Sequence, residues 1–315
     1  MAVSEDKDGA ATELAARAAW LSFVGGMTQD QIAVELGISR QRVQRLVARA
    51  SADGFVRVRI DHPVATCLSL ERDLKARYGL SSVRIAPGVG DNTDPLFGLA
   101  PFAAPILERI FADPAALVIA LGTGRTLRMV VEHMQQTDGS RHKLVSLIGN
   151  VAPDGSASFY EVIMRLAEKT AAPHYPMAIP VVARSTEELQ LYRSLPHVRA
   201  SRDLAMRADL AVVGIGQMDE TAPLLVDGFI TRDDLAELRA AGAVGEIVGH
   251  IFDAHGRYLD HPLNNRLVGV EVPVNGMPVH CIAAGGSKRQ ALKAALTGGL
   301  LTSLVTDEAT AQALL

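Results

Sequence analysis

Between Ile38 and Ile60 the chain places six arginines, at positions 40, 42, 45, 49, 57 and 59, against one acid, Asp53. This local charge of +5 sits in a chain whose formal net charge is −4. A basic strip of this density neutralises phosphates and releases their counterions, whatever the charge of the whole protein. The residue types suit DNA. Ser39, Gln41, Gln44 and Arg45 are candidate readers of base edges, and Arg42, Arg49, Arg57 and Arg59 are candidate phosphate partners. Thr28, Gln29 and Arg40 complete the set of candidate DNA contacts. A solvated amphipathic helix with ordinary surface arginines is the plainer alternative.

These side chains need helices to present them. On a 3.6-residue period Val43, Leu46, Val47 and Ala50 share one apolar face, while Gln41, Gln44, Arg45 and Arg49 point away from it. Ser39 reads as an N-cap. Thr28 and Gln31 read as a capping box that opens a shorter helix with Ile32, Ala33 and Leu36 inward. Gly37 can take a positive φ, so the chain can turn sharply between the two helices, with Ile38 plugging the corner. Upstream, AARAAWLSFVGGM predicts a third helix with Ala15, Ala18, Ala19 and Phe23 inward and Trp20 as a packing residue. Downstream, Asp53-Gly54 turns into a strand from Phe55 to Ile60. Together these features form a helix-turn-helix, and their mutual agreement argues against the plainer reading.

A second chemistry lies further along, at glycine-lined strand ends. ALVIAL runs into Gly122-Thr123-Gly124-Arg125-Thr126 and then an amphipathic helix. Small residues there let backbone N–H groups approach an anion at the helix N-terminus, and two threonine hydroxyls add donors. The sequence is neither a P-loop nor G-x-G-x-x-G, so nucleotide binding is not indicated, and a tight turn without a ligand is the competing reading. VVGIG, with Gly214 and Gly216, is equally compatible with a turn. In IAAGGSKRQALKAAL, Lys288 occupies the first turn of a helix, where a cation is electrostatically misplaced. An anionic ligand would account for it, and so would a salt bridge to a neighbouring acid.

The 315 residues, 48% hydrophobic and 21% charged, provide for two domains. A boundary falls at Asp61-His62-Pro63, giving a DNA-binding domain over residues 1–60 and a larger second domain over residues 61–315. Beyond it a helix from Thr66 to Tyr78 lines up Leu70, Leu74 and Tyr78, a candidate subunit contact or a face packed on its own chain. Short β-rich runs then alternate with amphipathic helices: SSVRIA, ALVIAL, KLVSLI, ADLAVVGIG, EIVGHIF, PVHCIAAGG and TSLVTD read as strands. The expected class is α/β, a small all-α helix-turn-helix domain followed by a large, doubly wound, mostly parallel sheet. HYPMAIPVVARS carries no periodic signal and reads as a loop.

No run approaches the roughly 18 apolar residues of a membrane span, and MAVSEDKDG is polar rather than a signal peptide, so a cytoplasmic protein without membrane partners is expected. Cys67 and Cys281 are far apart and lack metal-site spacing, which points to buried or neutral thiols. Neither G-x-S-x-G nor H-E-x-x-H occurs. No catalytic residue, metal or cofactor is therefore assigned.

Taken in order, LSFVGGMTQDQIAVELGISRQRVQRLVARA, LGTGRT, IGN, VVGIG, GEIVGHIFDAHG and AAGGSKRQALKAALTGG resemble the SorC-type sugar-binding transcriptional regulators over nearly the whole chain. The resemblance implies a bacterial repressor or activator, tetrameric, that binds a double-stranded DNA operator under control of a sugar, polyol or sugar phosphate. It carries pocket roles onto Gly122, Thr123, Gly124 and Thr126, onto Gly149-Asn150, onto Glu246 and onto Lys288. Arg125 belongs to the same stretch. Glu246 stands where an aspartate is common in the family, and Asp253 is a second candidate acid whose alternative role is to cap a turn. The family's effector domain is related to sugar-phosphate isomerases and glucosamine-phosphate deaminases. An enzyme of that kind is the alternative to a regulator, though a basic helix-turn-helix is hard to motivate on one.

Overall fold

Alanines pack helix against helix at the amino-terminal end of the chain. α1 (Ala2–Phe23), α2 (Gln29–Leu36) and α3 (Arg40–Ala52) bury Ala15, Ala18 and Ala19 against Ile32, Val43 and Ala50. The computed structural model describes residues 2–56, 65–90, 92–151, 155 and 162–315, and only the backbone of residues 2–10. The chain divides into two compact units, residues 1–60 and 61–315.

In the first unit the capping box at Thr28 is formed, with the Thr28 amide donating to Gln31 Oε1 at 2.8 Å. Gly37 adopts φ 64°, and Ile38 N–H closes the turn onto the Ala33 carbonyl at 3.0 Å. A side chain at Gly37 would strain this left-handed turn. Two expectations are corrected. Phe23 is 52% and Trp20 63% exposed, because Leu21 and Met27 continue the inner face past Ala18 and leave both aromatics outside it. The expected strand from Phe55 runs into residues 57–60, which lie outside the described residues, as do Arg57, Arg59 and the boundary at residues 61–63.

The second unit begins with α4 (Ala65–Tyr78), β1 (Ser82–Ala86), α5 (Leu96–Phe111), β2 (Val118–Leu121), α6 (Arg125–His133), β3 (Lys143–Val151), α7 (Val162–Thr170) and β4 (His174–Pro180). It continues with α8 (Thr186–Ser194), α9 (Pro196–Ala205), β5 (Leu210–Val213), β6 (Gly216–Gln217), α10 (Pro223–Val226), α11 (Arg232–Ala240), β7 (Gly245–Ile247) and β8 (His250–Phe252). β9 (Val279–Ile282), a 3₁₀ turn at Gly286–Lys288, α12 (Arg289–Thr297), β10 (Ser303–Asp307) and α13 (Glu308–Leu314) complete it. Seven parallel strands form one sheet in the order β1-β10-β9-β5-β2-β3-β4. Alternate residues feed two cores. Ile119, Leu121, Leu144, Val212 and Ile282 pack with α5, α6 and α7 on one face, and Ala120, Val145, Val213 and Cys281 pack on the other. Burial on both faces explains why these strands read as continuous apolar runs.

Leu70 and Leu74 of α4 are buried within this unit, and Tyr78 Oη donates to the Leu314 carbonyl at 2.7 Å, so the stripe packs on its own chain. Both cysteines are free and buried, and burial pushes the Cys281 thiol up to about 12. Three features depart from expectation. HYPMAIP is the strand β4, whose Pro176 and Pro180 are tolerated because it is a sheet edge. EIVGHIF is not a strand of the parallel sheet but the hairpin β7-β8, paired antiparallel with β6. α8 and α9, over residues 186–205, carry no expectation at all.

β8 places His250 at 6% exposure, with burial, Arg202 and Arg193 driving its pKa down to about 3. Glu271 lies 3.9 Å from Nδ1, but it is half exposed and does not outweigh these effects. The folded pKa lies below the ordinary 6.5, so the unfolded chain binds the extra proton. His250 therefore stabilises the fold above pH 6.5 and loses that contribution as pH falls toward 3. Chemical unfolding at pH 7 and pH 5 should show wild type losing about 2 kcal/mol more than His250→Gln over that interval. Equal losses would contradict the assignment.

Candidate DNA-reading helix and ligand cavity

In the first unit α3 starts at the N-cap Ser39, whose hydroxyl accepts from Arg42 N–H at 3.3 Å. Val43 and Ala50 are buried and Leu46 and Val47 half-buried, which turns Gln41, Arg42, Gln44 and Arg45 into solvent. Thr28 is exposed at the start of α2 and Gln29 half-buried beside it. Two of the cations lie against acids, Arg40 at 3.6 Å from Asp30 and Arg49 Nε donating to Asp53 Oδ2 at 3.2 Å, and Arg45 Nε donates to the Gln41 carbonyl at 3.4 Å. Exposed pairs of this kind are worth roughly 0–1 kcal/mol, so a phosphate can displace them.

In the second unit the parallel sheet changes direction between β2 and β5: β3 and β4 continue outward from β2, whereas β9 and β10 lead back toward β1 from β5. Ligands of open α/β sheets bind at such a switch point, beyond the carboxyl ends of the strands. A cavity of about 470 Å³ opens there. One wall is the N-terminus of α6, where Gly124 is the cap and the first intrahelical bond is Arg128 N–H to the Gly124 carbonyl at 3.0 Å. The preceding amides are thus free of helical partners and point their dipole at the cavity. Lys288 reaches in from the 3₁₀ turn after β9 and donates from Nζ to Thr126 Oγ1 at 3.2 Å. Burial and Arg125 lower its pKa, while Cys281, Glu246 and Asp94 oppose that shift.

Glu246 enters from β7, its Oε2 accepting from Gly249 N–H at 2.8 Å. Burial raises its pKa, Asp227 adds to the rise, and the Gly249 bond and Lys288 counter it. Gly216 lies directly beneath this carboxylate, in space that any Cβ would take from it. The turn after Glu246 holds Val248, a cavity-lining residue, at φ 48°. That conformation costs a β-branched residue about 1–3 kcal/mol, and such strain collects at functional sites.

The structure thus gathers Thr123, Gly124, Arg125, Thr126, Glu246 and Lys288 around one cavity. Gly122, Gly149 and Asn150 instead line a crevice of about 20 Å³ that shares Thr123 and Ile148 with the cavity. Gly149 has a packing reason, since a Cβ there would collide with the Ile179 and Pro180 carbonyls of β4. Asp253 does not line the cavity; it accepts from the His255 and Arg257 amides at 2.8 and 3.0 Å and from the Arg257 guanidinium at 2.8 Å. Sequence reasoning missed Asp94, Gln217, Thr221 and Asp227, which lie in loops or on a two-residue strand where periodicity gives no signal.

A helix-turn-helix unit joined to a parallel-sheet unit whose strand ends open on a cavity with charged and apolar side chains defines a ligand-responsive DNA-binding regulator. The comparisons agree. The sugar-binding domain family Sugar-bind matches residues 62–315 and the MarR family matches residues 18–63. The chain is 38% identical over 303 residues to the erythritol catabolism regulatory protein EryD of Brucella abortus, covering 96% of both chains. It is 33% identical over 314 residues to the transcriptional regulator LsrR of Klebsiella pneumoniae, covering 96% of this chain and 93% of that one. The full-length sorbitol operon regulator SorC of Klebsiella pneumoniae superimposes with a TM-score of 0.72 at 26% identity, over 96% of this chain and 98% of that one. The chain belongs to the SorC-type family of sugar-binding transcriptional regulators. It is a transcriptional regulator with a DNA-binding helix-turn-helix and a sugar-binding domain.

Proposed function

We propose that a phosphorylated sugar or polyol controls operator binding by this chain, with its phosphate held between the α6 N-terminus and Lys288. The observation that carries the reading is the 3.2 Å bond from Lys288 Nζ to Thr126 Oγ1, which brings a cation onto a helix start that has no side-chain cap. Each attracts an anion by itself, and together they converge on one charge. The carboxylates of Asp94, Asp227 and Glu246 supply acceptors for hydroxyls around the same cavity. The role is regulatory and not catalytic, a reading supported by relatives named as regulators. Such a protein works in the cytoplasm, beside its DNA.

A thermal-shift screen of free and phosphorylated sugars and polyols tests the reading. A phosphorylated member at 100 times its dissociation constant should stabilise the protein by about 2.7 kcal/mol. Tighter binding of the unphosphorylated counterpart would overturn it. Because operators are read as paired half-sites, the working form is a homo-oligomer, a tetramer by family resemblance. Sedimentation at micromolar concentration with and without DNA checks this, and a monomer in both would contradict it.

A further inference from the structure

Gln217 is 9% exposed on β6 and lines the cavity. Its Nε2 donates to the Thr221 carbonyl at 3.1 Å and to the Thr221 hydroxyl at 3.0 Å. That hydroxyl gives its own proton to Asp219 Oδ1 at 2.6 Å, so it can only accept from the amide. A carbonyl also only accepts. The orientation of the Gln217 amide is therefore fixed, with the NH₂ committed to Thr221. Its Oε1 is buried without a hydrogen-bond partner. A buried acceptor in that state loses about 1–3 kcal/mol until a donor arrives.

The surrounding groups repeat the pattern. Asp227 also lines the cavity, close enough to Glu246 to raise the pKa of that carboxyl, and it is itself raised by burial. Glu246 keeps one oxygen for Gly249 and holds the other over Gly216. Along this wall Gln217 Oε1 can only accept, and Asp227 and Glu246 present their carboxyl oxygens to the same cavity. Arg125 and Lys288 carry the charged donors that line the cavity, and Thr123, Thr126 and Ser287 add hydroxyls. Resting on the phosphate-cradle reading above, we infer that Gln217, Asp227 and Glu246 read ligand hydroxyls and make the site specific for polyhydroxy ligands with a single phosphate. A second phosphate meets two acidic side chains and an acceptor while Lys288 and Arg125 are committed to the first. A ligand lacking hydroxyls leaves Gln217 Oε1 unpaired.

Calorimetry on the full chain tests the inference with four probes: inorganic phosphate, erythritol 4-phosphate, sorbitol 6-phosphate and sorbitol 1,6-bisphosphate. Wild type should bind at least one monophosphate, and the bisphosphate at least about tenfold more weakly. Gln217→Leu should weaken the monophosphate roughly 5- to 150-fold while retaining inorganic phosphate, which also reports that the variant is folded. Equal affinity for mono- and bisphosphate, or unchanged monophosphate affinity in Gln217→Leu, overturns the hydroxyl-reading wall and leaves the cradle standing. Should Gln217→Leu not fold, the comparison on wild type decides. No binding of inorganic phosphate or of either monophosphate to wild type sinks the cradle itself, and this inference with it.

Discussion

Lys288→Ala should abolish the response of operator affinity to the effector. The lysine brings its charge to Thr126 Oγ1 at 3.2 Å, inside a cavity whose acids Asp94, Asp227 and Glu246 otherwise dominate. Without it, an incoming phosphate meets those carboxylates with Arg125 and the α6 amides alone to offset them. Between distinct sites a coupling of about 1–3 kcal/mol changes affinity roughly 5- to 150-fold, and the variant should reduce that factor to about one. Thr126, at 3% exposure, gives the complementary test: Thr126→Val keeps the volume of the side chain and removes the hydroxyl that Lys288 meets. Fluorescence anisotropy with a selected operator, with and without effector, reads the response, and calorimetry reads effector binding. Unchanged effector affinity in both variants would place the pocket elsewhere.

Gln44→Ala should lose roughly 1–3 kcal/mol on the cognate operator and little on unrelated DNA, because an exposed amide on the outer face of α3 is placed to read a base edge. Arg49→Ala should weaken all DNA alike and reduce the salt dependence by about one phosphate contact. The ion pair to Asp53 at 3.2 Å sharpens this expectation. Part of the attraction of Arg49 is already spent, so Asp53→Ala should tighten binding to any sequence while Arg49→Ala loosens it. A binding-site selection with each variant checks the division of labour. The same uniform loss from Gln44→Ala and Arg49→Ala would refute it.

The helix-turn-helix was legible because local chemistry determines it. The Thr28–Gln31 capping box, the left-handed turn at Gly37 and the Ser39 cap each act within a few residues. The parallel strands were legible because burial on both faces leaves uninterrupted apolar runs such as Val118–Leu121. β4 was not, since its prolines signal a loop until a neighbour makes it a sheet edge. Phe23 faces outward because Met27, beyond the glycine turn, takes the inner position, a tertiary choice that no period records. At the cavity, Thr126 and Lys288 announced themselves by a misplaced cation and a glycine-capped helix. Gln217 and Asp227 could not, because their significance lies in which partners Thr221 and Glu246 leave them. Asp253 had the composition of a pocket acid, and the structure places it in a turn, bonded to His255 and Arg257.

A ligand in the cavity of the second unit should change how tightly the first unit holds DNA. Titrating a fluorescent operator with the full chain at fixed salt, at zero and saturating concentrations of a phosphorylated sugar or polyol shown by calorimetry to bind, measures this directly. Operator affinity should change roughly 5- to 150-fold, and the change should disappear in Lys288→Ala. An operator affinity that stays constant while calorimetry shows the cavity saturated would contradict it.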